Sequence, residues 1–206
     1  GEGSYLYYSN ESTGISQTCF VASNGTSSSL MDCYTTKDKR KTYWFAQPSG
    51  TYGSIFSQPY YSPMKVNFYD LCRTSQSMRT AEVFLNLAEA YARQPTTDAN
   101  RSIELLNQLR NNRIEDNASL TVDDFSGNGS LVKFIWEERR RELCFEEFHR
   151  WWDLRRTGQP VIEHTLLGET YELKEKDPAY ILNFPKEERE FNPGLVPNNR
   201  PTRKAK

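Results

Sequence analysis

The longest helical pattern in this chain reads Ile135-Trp-Glu-Glu-Arg-Arg-Arg-Glu-Leu-Cys-Phe-Glu-Glu-Phe-His-Arg-Trp-Trp-Asp-Leu-Arg-Arg-Thr-Gly158, and it is also the stretch densest in large side chains. Ser130 is a suitable N-cap because it directly follows the helix-breaking run Gly127-Asn128-Gly129. Gly158 and Pro160 provide a stop. Bulky apolar residues flank a charged centre, and helix ends with this much apolar bulk must be buried. We therefore predict one long helix that packs into the core of the fold.

The centre of this helix is a block of six consecutive charged residues, Glu137 to Glu142. Glu137 and Arg141 form a favourable (i, i+4) pair. One interpretation is a solvated helix face, which is the usual role of a run of charges. The other is a paired, partly buried Arg/Glu network that fixes how neighbouring helices cross. The spacing of the charges is compatible with both.

Residues 1–78 form a region rich in Ser, Thr, Gly and Tyr, and nine of the twelve tyrosines lie before residue 70. Short β-like runs occur at residues 5–8, 19–21, 41–45 and 65–69. We interpret residues 1–78 as an irregular, tyrosine-rich lobe with a few short strands.

The hydrophobic period becomes helical after residue 78. Residues 79–93 and 99–113 have apolar positions at helical spacing, with Pro95 ending the first helix and Asp98 able to cap the second. Small alanines on the first helix permit close packing, and the pair is similar to a tetratricopeptide hairpin. Such a hairpin cannot bury its own apolar face, so it needs stacked neighbours.

The C-terminal part is predicted to be less regular. Residues 114–129 are a polar connection, and residues 170–174 and 179–184 flank Asp177-Pro178 as a predicted β-hairpin, followed by turns. We therefore divide the chain into a lobe, residues 1–78, and a helical region, residues 79–206, within one compact unit.

The composition excludes several classes of partner and cofactor. A net charge of −1 gives no overall attraction to nucleic acid or to anionic lipid. The four cysteines form no C-x-x-C pair, so we expect no zinc site and no cofactor. Cys19 and Cys33 could close a loop in an oxidising compartment, and Cys144 is expected to be a buried thiol.

The inventory of reactive side chains argues against an enzyme. The two histidines, His149 and His164, lie outside any H-E-x-x-H motif, and no P-loop, G-x-S-x-G or G-x-G-x-x-G sequence occurs. His149 lies among aromatic residues and is expected to be structural. Adjacent acids such as Glu146-Glu147 are expected to be solvated. We therefore predict no catalytic residue.

Sugar binding fits the side chains better, because sugars offer apolar C–H faces that pack on aromatic rings and hydroxyl groups that bond to amides. The lobe contains suitable aromatic residues among Asn, Gln and Ser, and we predict that these form the ligand site: Tyr43, Trp44, Tyr52, Tyr60 and Tyr61. The alternative is that these side chains cover the lobe's own small core. We expect any sugar to bind in this lobe and not on the helices.

The sequence Glu138-Arg-Arg-Arg-Glu-Leu143, followed by Arg150-Trp-Trp-Asp-Leu-Arg-Arg156, resembles the C-terminal signature of the SusD/RagB family of outer-membrane nutrient-binding lipoproteins. Three more segments fit this family in the same order: residues 79–90, Leu106-Asn-x-Leu-Arg110, and Phe184-Pro with Asn192-Pro. Asp38-Lys-Arg40 also matches an Asp-x-Arg position common in the family. The chain departs from the pattern at Glu147, where many members have Gly, and at Asn183-Phe-Pro185, which replaces Pro-Ile-Pro.

The resemblance implies a mainly α-helical fold, a SusD-like superhelix of tetratricopeptide-like hairpins with a loop-rich lobe. It also implies a lipid-anchored protein on the extracellular face of a Bacteroidetes outer membrane, used in polysaccharide utilization. Such proteins capture oligosaccharides or other nutrients and deliver them to a SusC-like TonB-dependent transporter. Because family members are much longer, we expect this chain to be a C-terminal portion, with the lipid anchor elsewhere. No ligand-contact residue of the family carries over by position.

Two functions therefore remain in view. The first is a surface glycan- or nutrient-binding subunit. The second is a helical module that docks on the transporter and has no ligand site of its own. An exposed aromatic platform with polar neighbours would favour the first, and an exposed apolar helix groove without such a platform would favour the second.

Overall fold

The structure is a computed structural model, and it describes residues 3–10, 15–22, 30–46, 62–63, 79–94, 98–144, 146, 149–166, 169–198 and 204–206. The chain divides into two compact units, Gly1–Arg150 and Trp151–Lys206. Residues 30–46 belong to the same unit as the helical hairpin. The predicted boundary after residue 78 stays a prediction, because most of residues 47–78 lie outside the described part.

The described residues are mainly α-helical, as predicted. The helices are α1 (Lys39–Tyr43), α2 (Thr80–Arg93), α3 (Ala99–Asn111), α4 (Asn128–Glu142), α5 (His149–Arg156) and α6 (Lys186–Phe191). The strands are β1 (Gly3–Asn10), β2 (Ile15–Ala22), β3 (Phe45–Ala46), β4 (Ser62–Pro63), β5 (Ile162–Leu166) and β6 (Glu169–Leu173). They pair as three separate antiparallel two-stranded sheets, β1 with β2, β3 with β4 and β5 with β6. Among the residues described, no helix combines the length and the apolar character needed to span a bilayer.

The predicted α2–α3 hairpin is confirmed. Asp98 caps α3, its side chain accepting a hydrogen bond from the backbone N–H of Arg101 at 3.0 Å. The hydroxyl of Ser102 on α3 donates to the carbonyl oxygen of Ala88 on α2 at 2.9 Å. This bond requires the two helix backbones to lie close together, which the small residues on α2 permit.

The core of the first unit lies where α2, α3 and α4 meet. Its buried apolar side chains are Ala81, Leu85, Ala88, Ala92, Ile103, Leu106, Leu109, Leu131, Val132 and Ile135. A second, smaller cluster joins residues 30–45 to the end of α4 and consists of Leu30, Met31, Tyr34, Phe45 and Cys144. Cys33 and Cys144 are both thiols, and Cys144 is buried, as predicted.

The long helix predicted between residues 130 and 158 is interrupted, so that prediction is wrong. The helix begins at Asn128, after Gly127 with φ 127°, and not at Ser130. It ends at Glu142, and α5 begins only at His149. Side chains from distant positions satisfy the last carbonyls of α4. The Tyr34 hydroxyl donates to Arg141 O at 2.7 Å, and Arg79 donates to Glu142 O at 3.4 Å. Because these carbonyl oxygens already accept hydrogen bonds, the helix can end here and the chain can change direction.

The strand predicted at residues 41–45 is mostly helical, so this prediction is also wrong. Asp38 caps α1 by accepting a hydrogen bond from Arg40 N at 3.0 Å, and the helix continues to Tyr43. Only Phe45 and Ala46 pair as β3. The run at residues 65–69 lies outside the described residues.

The C-terminal hairpin forms from different partners than predicted. Strand β6 pairs with β5, while the segment after Asp177 is a 3₁₀ turn, Pro178–Tyr180, capped by Asp177 through Ala179 N at 2.8 Å. Tyr180 is fully buried and stacks on Trp151, with ring centroids 5.2 Å apart. A proline in the first turn, next to an Asp cap, favours the 3₁₀ turn over a strand.

We predict that Leu85→Ala on α2 lowers the free energy of unfolding by about 2–5 kcal/mol, because Leu85 is 1% exposed and its truncation leaves a cavity. Leu87→Ala removes the same atoms on the same helix from a side chain that is 43% exposed, and it should cost less than about 1 kcal/mol. Chemical denaturation of both variants checks this. Equal losses would mean that the face of α2 assigned to the core is wrong.

Candidate functional site

The charged centre of α4 contains carboxylates that are buried. Glu138 and Glu142 are separated by one turn of α4, so their carboxylates lie on the same face of the helix, and both are fully buried. Unpaired carboxylates in such a position would be costly. Each must therefore be matched by cations from other elements.

Arg40 supplies the central cation. Its side chain is 1% exposed, and its Nη1 atom lies 2.7 Å from Glu138 Oε1 and 3.1 Å from Glu142 Oε2. On its other edge, Nε and Nη2 donate to the two carboxylate oxygens of Asp38 at 2.9 and 2.8 Å. A planar guanidinium can make these contacts simultaneously, whereas an ammonium cannot.

Four further arginines complete the pairing of the two α4 carboxylates. Arg110 and Arg141 reach Glu138 Oε2 at 3.1 and 2.8 Å. Arg113 binds Glu142 through both Nε and Nη2, at 3.0 and 2.9 Å, and Arg79 binds Glu142 Oε1 at 2.7 Å and also pairs with Glu146. Glu146 is 2% exposed, so the expectation that it is solvated is wrong. We call these nine residues the buried ion network: Asp38, Arg40, Arg79, Arg110, Arg113, Glu138, Arg141, Glu142 and Glu146.

The pairing keeps the buried groups charged. Burial raises the pKa of the Glu138 carboxyl, but the charges of Arg141 and Arg40 outweigh it and bring the pKa from its ordinary 4.5 to about 2. For Glu142 burial again acts upward, and Arg113 and Arg40 lower the pKa. Burial acts to lower the pKa of Arg40, but Glu138 and Asp38 raise it above its ordinary value. Of the two interpretations of the charged block, the buried network is therefore the correct one.

The network fixes the position of two predicted ligand-site residues. Asp38 and Arg40 hold the start of α1 against α4, and Lys39 N donates to Arg113 O at 2.8 Å. Helix α1 then carries Tyr43 out to solvent, where its side chain is 72% exposed. Trp44 follows as the C-cap and is partly buried against the Leu30–Phe45 cluster, with the Arg79 guanidinium 6.0 Å from its ring centroid. Tyr43 is thus the exposed ring, and Trp44 has packing partners of its own.

The other predicted site residues, Tyr52, Tyr60 and Tyr61, lie outside the described residues. Their role stays a prediction.

Three arginines of the network were not identified as ion-pair partners from the sequence. Arg110 lies in the last turn of α3, Arg113 lies just beyond the C-cap of that helix, and Arg79 precedes α2. The available signal was a pair of arginines close together at the end of a helix. That signal is weak, because basic residues are common in the last turn of helices for reasons of the helix dipole.

Nothing in the described part assembles a metal site, since no group of three or more His, Cys, Asp or Glu side chains there has suitable geometry. His149 is buried, with Nδ1 3.7 Å from Glu82 Oε1, in keeping with a structural role. Cys33 accepts a hydrogen bond from Arg140 at 3.4 Å. These contacts place His149 and Cys33 in the packing of the first unit.

Comparison with known proteins identifies a family that matches the chain. The family model described as the SusD family matches residues 16–199. Among solved structures, a SusD-like carbohydrate binding protein from Bacteroides vulgatus ATCC 8482 is similar, with a TM-score of 0.52 and 21% identity over 82% of this chain. The match covers 42% of that protein, so the chain spans less than half of its length. No curated protein matches the chain.

We predict that Glu138→Gln lowers the free energy of unfolding by about 3–5 kcal/mol, because it leaves Arg40 buried beside a neutral amide. Glu137→Gln is the matched control on the same helix, because Glu137 is exposed, and it should change the stability by less than about 0.5 kcal/mol. Urea denaturation followed by circular dichroism measures both. A loss in Glu138→Gln no larger than in the control would show that the network contributes nothing to stability.

We also predict a specific loss of stability in acid. The pKa of Glu138 is lowered on folding, so its contribution is complete above about pH 4.5 and is lost as the pH falls towards about 2. The loss is on the order of 3 kcal/mol from this group. The free energy of unfolding between pH 5 and pH 2, together with the ¹³C NMR titration of the Glu138 carboxyl, checks the prediction. A titration midpoint near the ordinary value would contradict it.

Proposed function

The chain belongs to the SusD family, and on that premise we propose that it forms part of a cell-surface binding protein. This protein would capture an oligosaccharide and deliver it to a SusC-like TonB-dependent transporter in the outer membrane. We place it on the extracellular face of that membrane and assign it no catalytic step. The observation that carries the proposal is the family match over residues 16–199.

The geometry around α1 supports a binding role. A receptor for sugars needs an aromatic face that is exposed before the ligand arrives and does not have to be ordered by it. Tyr43 meets this requirement, since it is exposed while the helix that carries it is fixed by the buried ion network. Loops and short elements held by a rigid scaffold are also where binding residues are commonly found.

We therefore assign Tyr43 as the first sugar-stacking residue, with Trp44 beside it as a supporting wall. Tyr52, Tyr60 and Tyr61 are proposed to complete the site. The similar protein from Bacteroides vulgatus is a carbohydrate binding protein, which is consistent with this assignment.

A docking module without a ligand site is the second proposal, and one observation favours it. Val83 and Leu87 lie on the outer face of α2 and are 61% and 43% exposed. Neighbouring apolar side chains exposed on a helix can mark a contact with another protein. In this case the partner would be the transporter, and the aromatic residues of the lobe would contribute nothing to ligand capture.

We predict that Tyr43→Ala weakens oligosaccharide binding by about 2–10-fold, which corresponds to one aromatic contact of about 0.5–1.5 kcal/mol. The probe is a set of neutral and acidic oligosaccharides, ranked on an array and then titrated by calorimetry. Phe191→Ala is the control, because Phe191 is also a highly exposed aromatic residue and lies on α6 in the other unit. The fold should be intact in both variants, since neither side chain is buried.

Two results would count against the first proposal. Unchanged affinity in Tyr43→Ala would remove Tyr43 from the site. Absence of sugar binding, together with capture of the transporter that is lost in Leu87→Asp, would favour the docking module.

A further inference from the structure

An open cleft of about 510 Å³ lies between the first turns of α2 and the last turn of α3. Its volume falls in the range of small-molecule sites, about 300–1,000 Å³. The cleft is built from the helical hairpin and not from the tyrosine-rich lobe. The sequence pattern predicted only a packing role for these helical residues.

An aromatic ring that the core does not use lines the cleft. Phe84 is partly exposed and is absent from the apolar cluster of α2, α3 and α4. By contrast, Phe125 and Phe134 pack against that cluster and make an edge-on contact with ring centroids 5.4 Å apart. Phe84 is therefore available as a face for the apolar side of a ligand.

Three carboxamides form the polar wall of the cleft, at Gln108, Asn111 and Asn112. Asn111 Oδ1 accepts from Asn117 at 2.8 Å, and Asn112 Nδ2 donates to Gln108 O at 2.8 Å. These bonds hold two amides in place and use only one polar atom of each. Asn111 Nδ2, Asn112 Oδ1 and the side chain of Gln108 make no hydrogen bond within the described part of the chain.

Arg113 adds a fixed cationic donor. Its Nε and Nη2 atoms bind the two oxygens of Glu142, at 3.0 and 2.9 Å, so the plane of the guanidinium is set by a buried carboxylate. This pairing does not use Nη1, and the side chain is partly exposed where it lines the cleft. A donor oriented in advance in this way loses little entropy when it binds an anion.

The charges in and around the cleft indicate which class of sugar it favours. None of the described residues that line it is acidic. The buried ion network, of which Arg113 is a member, contains five guanidinium groups and four carboxylates and so has an excess of one positive charge. A negatively charged group is therefore favoured over a neutral one.

We propose that this cleft binds a sugar unit that carries a carboxylate, a uronic acid residue of an acidic oligosaccharide. The carboxylate would accept from Arg113 Nη1 and Asn111 Nδ2, the C–H face of the ring would pack on Phe84, and the hydroxyls would bond to Gln108 and Asn112. The inference rests on the proposed function as a glycan-binding protein. It adds a second contact region and a class of substrate.

The test is an NMR titration of the ¹⁵N-labelled chain with sodium galacturonate, with galactose as the matched neutral sugar and sodium acetate as the matched simple anion. Galacturonate is expected to shift the amide signals of residues 108–113 with a Kd of about 1–10 mM, in the range of a single sugar unit. Galactose and acetate should each bind at least about fivefold more weakly, because each lacks one of the two recognised features.

Paired substitutions locate the site. Phe84→Ala and Gln108→Ala should each weaken galacturonate binding by about 2–10-fold. Their controls are Tyr91→Ala, a partly buried aromatic residue two turns further along α2, and Asn100→Ala, an exposed amide at the other end of α3. Both controls should leave the affinity unchanged. Arg113 is left intact in this test because its pairing with Glu142 also supports the fold.

Several outcomes overturn the inference. They are unmoved signals of residues 108–113 at about 50 mM galacturonate, acetate binding as tightly as galacturonate, and loss of stability without loss of binding in Phe84→Ala. The proposed function is tested separately by Tyr43→Ala. Oligosaccharide binding that depends on Tyr43 while residues 108–113 stay unmoved would keep that function and overturn this site.

Discussion

The structure of the first unit depends on the pairing of Arg40 with Glu138 and Glu142. Placing these charges in the interior is costly, and apolar residues of similar size would often stabilise a fold as well or better. The ion pairs instead fix the relative orientation of the elements that carry them, because a guanidinium bound on two edges admits only one geometry. The charged centre of α4 is thereby joined to α1, to the end of α3 and to the residue before α2. The network thereby adds directional contacts between α2, α3 and α4, which also share the apolar core, and joins α1 to them.

The same network connects the packing of the protein to its proposed binding surfaces. Through Asp38 and Arg40 it anchors the short helix that exposes Tyr43. Through Glu142 it orients the guanidinium of Arg113 at the cleft between α2 and α3. A change in a buried carboxylate would therefore disturb both surfaces without touching a ligand. This distinguishes the network from the exposed pairs of the chain, such as Lys37–Asp116, which are solvated and contribute little.

The second unit is organised differently. Its ordered centre is the stacking of Trp151 on the buried Tyr180, whose hydroxyl donates to Pro160 O at 2.5 Å. Trp152, adjacent in sequence, is exposed, as expected for neighbouring residues that point about 100° apart on a helix. Gly158, with φ 103°, ends α5 where the sequence placed a stop. Aromatic packing and a glycine turn therefore position the elements of this unit, whereas buried ion pairs position those of the first unit.

The sequence by itself determined the mainly helical class, the α2–α3 hairpin with its Asp98 cap, and the family resemblance, because helical period and capping are encoded within a few residues. It did not determine whether the charges from Glu137 to Glu142 are solvated or buried, since Arg40 lies 102 positions before Glu142. Only the tertiary structure decided that α4 ends at Glu142, because Tyr34 and Arg79 take its last carbonyls. It also decided that residues 41–43 are helical, and that Phe84, Gln108 and Arg113 line one cleft. For the charged block, the end of α4 and the cleft, the deciding partner lies far away along the chain, where local spacing carries no signal.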